Sequence, residues 1–156
     1  MIDDYINMLA ENIRLEPIEL LYLIPVFIYM IFASKIDAKF MKIPNKLNYL
    51  MMSLRIVFAV CYPIEASHLF GFIIGGALIM IPAMIILKPM GGDIKFSAAL
   101  GFWIGDVSIL ITLILAVIMF MFYGIKIKKL NRKQSLAFAP FMSIGYLIIV
   151  AIGLII

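Results

Sequence analysis

Apolar residues run along this chain in six stretches: Glu19 to Ala33, Leu47 to Tyr62, Leu69 to Leu87, Ile94 to Ile104, Val107 to Ile127 and Leu136 to Ile156. A helix needs about 20 residues to cross a hydrocarbon core, and the third, fifth and sixth stretches are comfortably long. The second is interrupted by Arg55. The fourth, with Gly101 and Gly105 near its end, is too short to span unless neighbours cover its ends. The pattern predicts an all-α fold, a polytopic membrane bundle of about six transmembrane helices forming a single domain over residues 1–156. Ahead of it, Ile2, Ile6, Leu9 and Ile13 recur near helical spacing, so residues 1–16 read as an amphipathic helix lying on the membrane surface. Asp3, Asp4, Glu11 and Glu16 stand where a removable signal peptide would be basic.

Composition agrees: 65% of residues are hydrophobic and 14% charged, with a mean hydropathy of +1.15. A soluble domain has roughly 45–50% apolar and 25% charged residues, so the chain reads as an integral membrane protein. The formal charge of +4 does not point to nucleic acid, because the basic residues sit in inter-helix loops. Lys35, Lys39, Lys42 and Lys46 follow the first stretch, Lys88 and Lys95 flank the junction of the third and fourth, and Lys126, Lys128, Lys129, Arg132 and Lys133 follow the fifth. The alternate loops carry Glu65, His68 and Asp106 without Lys or Arg. The positive-inside rule therefore puts the three basic loops in the cytoplasm and both termini outside. Cys61 and His68 are the only residues of their kinds, which leaves no disulfide and no usual zinc set, so no cofactor or metal is expected.

Two aspartates stand at the predicted cytoplasmic edge. Asp37 opens Asp37-Ala38-Lys39-Phe40-Met41-Lys42-Ile43-Pro44-Asn45, and Asp93 closes Met90-Gly91-Gly92-Asp93. A charge near hydrocarbon costs about 2.5–3.5 kcal/mol even on lenient scales, so a role beyond anchoring is expected of them. Two carboxylates held close in a dry site cannot both ionise easily, and one retains a proton. The ionised partner can take a proton from water attacking an amide while the protonated one donates, with no metal or covalent intermediate. Gly91 and Gly92 would let an extended peptide lie beside Asp93. Plainer readings exist. Asp93 also suits the N-cap of the fourth helix, Asn45 that of the second, and Asp37 alone suits a solvated charge among lysines. Arg55 either faces a polar interior or snorkels to the cytoplasmic edge.

Taken together the two motifs resemble the prepilin peptidases, membrane aspartic proteases of the GxGD class. Asp37 through Asn45 has the spacing of the family's first signature, an Asp, five residues, then Ile-Pro-Asn. Gly92-Asp93-Ile94-Lys95, continuing into Ala98-Ala99-Leu100-Gly101, Trp103 and Gly105, resembles the second. Ala139-Pro140-Phe141 with Gly145 is similar to a Gly-Pro-Phe segment of the last helix. Met90 and Ala139 stand where the family has Gly. The resemblance implies that Asp37 and Asp93 are catalytic, that Gly91, Gly92, Lys95, Pro44 and Asn45 position substrate, and that no cofactor is needed. It implies a partner as well: a membrane-inserted, prepilin-like precursor whose basic leader is cut off at the cytoplasmic membrane face. Longer relatives carry paired CxxC motifs linked to N-methylation; with Cys61 alone, this chain resembles the short peptidase-only form.

Two other readings stay open. A proton-coupled carrier would use the acids as a relay, although such sites usually lie near the midplane. A presenilin-like or signal-peptide-peptidase-like intramembrane protease shares the second motif, but its first aspartate follows a Tyr. The charge pattern makes one direct prediction. In a Cys61-free background, a cysteine at Lys128 should be modified only from the cytoplasmic side, and labelling from outside alone would overturn the topology.

Overall fold

The computed structural model describes residues 19–86, 91–130 and 136–155, which form helices and short connections, with no strand among them. The expected surface helix at 1–16, and Lys88, Met90, Arg132 and Lys133, lie outside the described residues. Six helices follow one another: α1 (Glu19–Phe40), α2 (Asn45–Phe58), α3 (Ala66–Ile86), α4 (Gly91–Ile104), α5 (Asp106–Leu130) and α6 (Ala139–Gly153).

Their order in space follows from how little α4 can do alone. It has 14 residues, and Phe96 to Gly101 and Trp103 are all buried. Helices α1, α2, α3 and α5 pack around it, and α6 closes the bundle against α1 and α5. Neighbours therefore shield the short fourth stretch, which satisfies its backbone internally but does not make it a lipid-facing span. Among the described residues, only α5 is long and apolar enough to cross a membrane by itself, over Asp106–Lys126 with mean hydropathy 2.6. The apolar parts of α3 and α6 are shorter, Ala66–Ile81 and Ala139–Gly153. Six full spans are thus more than the helix lengths provide. Charged residues stand at two helix ends, Lys35, Asp37 and Lys39 in α1 and Arg55 in α2. The outer surface is nonetheless strongly apolar, with Ile28, Phe32, Ile73, Leu110, Ile114 and Phe122 all exposed. Such a surface is unusual for a soluble monomer.

Small residues set the tightest contact. Gly71 and Gly75 of α3 lie against Gly101 and Ser97 of α4, with three residues between the members of each pair, the spacing that lets helix backbones approach. A Cβ at Gly75 would collide with the Ser97 carbonyl, and one at Gly101 with the Gly71 carbonyl. Gly105, at φ +82°, alone joins α4 to α5. That left-handed conformation is one side chains resist.

Arg55 is fully buried at the end of α2 away from Asn45. Its guanidinium donates to the carbonyls of Phe102 (3.3 Å), Tyr62 (2.9 Å) and Pro63 (3.3 Å) and sits 5.1 Å from the Tyr22 ring. It does not snorkel to the cytoplasmic edge; it ties α2, α4 and the α2–α3 connection together. Tyr22 stacks 4.8 Å from Trp103, whose indole N–H donates to the Met51 carbonyl at 2.9 Å. Substitution tests the helix seam. Gly75→Leu and Gly101→Leu should each destabilise the protein by about 1–3 kcal/mol or more, because the obstacle is backbone. Gly76→Ala, whose Cβ would meet Ala98 at an ordinary 3.5 Å, should leave the unfolding midpoint in detergent nearly unchanged.

Candidate active site

Asp37 lies in the last turns of α1, buried to 4% exposure. The helix ends there because Met41 turns left-handed at φ +52° while its N–H still donates to the Asp37 carbonyl at 2.8 Å. The side chain has a partner far away in sequence: Oδ2 accepts the backbone N–H of Ala139 at 3.0 Å. That N–H is the first of α6, a helix whose cap residue, Phe138, offers no side-chain bond. Asp37 thus caps α6 in trans, meeting a donor that helix starts otherwise leave orphaned.

Asp93 lies just ahead of the apolar stretch from Ile94, in the first turn of α4 and not at its cap, since the helix begins at Gly91. Burial and, secondarily, the charge of Asp37 push its carboxyl up to about 6. The second cause shows that the two aspartates are near enough to sense one another's charge, although they come from different helices.

The Ile43-Pro44-Asn45 segment fits against this turn. Ile43 is buried, and a Cβ on Gly92 would sit 3.2 Å from the Ile43 backbone nitrogen. The close approach that Gly92 permits is therefore already taken by the chain's own backbone. At Gly91, by contrast, a Cβ would meet nothing within 4 Å. Pro44 is the extended cap residue of α2 at φ −63°, ψ 132°, and Asn45 does not cap it. Instead Asn45 Oδ1 accepts a hydrogen bond from Lys95 Nζ at 3.0 Å, and Lys95 lies 5.5 Å from the Tyr49 ring. Of the expected positioning residues, Pro44, Asn45, Gly92 and Lys95 meet at one α2–α4 contact.

Two residues not singled out from the sequence complete it. Asn48 is fully buried; its Oδ1 accepts from the Tyr29 hydroxyl at 2.9 Å and its Nδ2 donates to the Gly92 carbonyl at 3.4 Å. Only one orientation of the amide satisfies both bonds. The chain Tyr29–Asn48–Gly92 links α1, α2 and α4 at the residue preceding Asp93. One signal existed in the sequence: an Asn three residues after Asn45, inside an otherwise apolar stretch, is costly unless bonded. A groove of about 410 Å³ between α1 and α6 runs beside this region; Ser34, Lys35, Pro140 and Ser143 line it among Phe27, Met30, Ile31, Ile144 and Leu147.

The arrangement can hold one carboxyl protonated next to another carboxylate, each anchored by different helices. The family model described as the type IV leader peptidase family matches residues 24–125, a segment that includes both aspartates. No curated protein and no solved structure gave a significant match.

Proposed function

The chain belongs to the type IV leader peptidase family, and on that premise we propose that it is a membrane aspartic endopeptidase with Asp37 and Asp93 as its catalytic pair. Its substrates are prepilin-like precursors, from which it removes a basic leader at the cytoplasmic face. Both termini lie outside in this reading, as the lysine-bearing loops require. The observation that carries the proposal is the placement of two acids from separate helices, the buried Asp37 held on the Ala139 N–H and the half-buried Asp93 on which its charge acts.

Roles follow from the surroundings. Asp93, raised mainly by burial, holds the proton that is given to the carbonyl oxygen of the scissile amide. Asp37 keeps one oxygen on the Ala139 N–H and uses the other to take a proton from the attacking water. The new C–O bond forms as the carbonyl π bond opens, giving a neutral diol. The proton on Asp37 then passes to the amide nitrogen, the C–N bond breaks, and Asp93 recovers its proton from the collapsing diol. No metal enters these steps. The groove beside Asp37 is apolar, as an arm of a hydrophobic precursor would need, and it is continuous with the Asp37 end of the α1–α6 seam.

Asp37→Asn and Asp93→Asn should each abolish processing of a co-expressed prepilin while leaving the protein in the membrane, and the double variant should be scarcely worse than either single one. If one Asn variant cleaves at a near wild-type rate, that aspartate is not part of the machinery. The pH profile gives an independent check. A donor at about 6 is protonated below that pH and loses its proton above it, so kcat/KM for purified enzyme should decline as pH rises beyond about 6. A rate that stays level to pH 8 would remove Asp93 from the donor role.

A further inference from the structure

The trans cap between Asp37 and Ala139 does not stand alone on the α1–α6 seam. One turn further into α6, Ser143 Oγ donates to the Ala139 carbonyl at 3.0 Å. The same oxygen lies 2.7 Å from Ser34 Oγ. A hydroxyl has a single proton, and that of Ser143 is engaged by the carbonyl, so Ser34 is the donor in the hydroxyl pair. Ser34 precedes Asp37 by three residues and Ser143 follows Ala139 by four. These are the spacings at which residues share a helix face. The two helices are therefore joined by two polar rungs one turn apart, Asp37 to Ala139 and Ser34 to Ser143.

The remaining groove contacts near the rungs, from Phe27, Met30, Ile31 and Leu147, are apolar. Such contacts resist separation of the helices but are non-directional, so they set the register along the seam only loosely. A hydrogen bond at 2.7 Å is directional and tolerates little slip. The hydroxyl pair supplies what the packing lacks.

We propose that Ser34 and Ser143 are positioning residues that hold α6 in register with α1, so that the Ala139 N–H stays on Oδ2 of Asp37 and Oδ1 is left for the reaction. This rests on the reading of Asp37 as the base that takes the proton from water. Displacing a reacting group by about 1 Å can cost up to 100-fold in rate, so loss of one rung of two should be read as a change in turnover. Neither serine needs to touch the substrate.

The test uses Ser34→Ala, Ser143→Ala, the double variant and Ser143→Thr, in the full chain in detergent or vesicles. Each Ala variant should lower kcat on a prepilin substrate on the order of tenfold with KM little changed. The double variant should match the single ones, because the pair acts as a unit. Ser143→Thr, which keeps the hydroxyl, should restore most of the rate. A readout independent of catalysis accompanies these: hydrogen exchange at the amide of Ala139 should quicken in both Ala variants while exchange in α3 and α4 is unchanged. Wild-type rates with unchanged Ala139 exchange in the Ala variants would overturn the proposal, as would independent, multiplicative losses in the double variant. If the wild-type protein cleaves no prepilin, the peptidase reading fails instead, and the exchange measurement still decides whether the serines set the register.

Discussion

The bond from the Ala139 N–H to the buried carboxylate of Asp37 joins residues 102 apart in the sequence, and much of the site depends on it. It gives α6 the cap its own sequence does not provide, and it fixes which oxygen of Asp37 remains for other work. A buried carboxylate with no donor would carry its full desolvation cost, so the bond answers two needs with one contact. Its geometry ties the chain's last described helix to its first. Asp93 is then presented from the middle of the bundle, on a helix the others surround.

Among the described residues, the buried Asp37 and Asn48 lie toward one end of the bundle and the buried Arg55 toward the other, with Ser97 and Thr112 buried between them. Around the aspartates, Tyr29, Asn48, Asn45 and Lys95 connect α1, α2 and α4. At the other end Arg55 collects the carbonyls of Phe102, Tyr62 and Pro63. Between them α3 and α4 meet through glycines and a serine, where only backbone and small groups fit. Polar anchors at both ends with close small-residue packing between them suit a protein whose outer surface gains nothing from the hydrophobic effect once it is in lipid.

The helices were legible because long apolar stretches separated by lysines leave few alternatives, and the two aspartates stood out as candidates because each sits in a motif of fixed spacing. What could not be read was set by pairing between distant segments. Asn45 has the composition of a helix cap, yet Lys95 of α4 claims its side chain. Gly92 signalled a close approach, but nothing local told whether the approaching backbone would be a substrate or the chain's own Ile43. Arg55 was visibly costly; its place depends on carbonyls at residues 62, 63 and 102 that no local pattern brings together. The described residues form six helices, as the apolar stretches predict, and one of these helices is self-sufficient as a span; hydropathy along a stretch does not reveal which helices their neighbours will shield.

Gly105 has a mechanical consequence. Because a single residue separates α4 from α5, Gly105 is the joint between them, and Asp93 stands twelve residues away along α4. At 1.5 Å per residue that arm measures about 18 Å, so a tilt of about 5° at Gly105 carries Asp93 through about 1.5 Å. That is the difference between a hydrogen bond and no bond. Any such tilt would change the separation of the two carboxylates, and the glycine contacts with α3 oppose it.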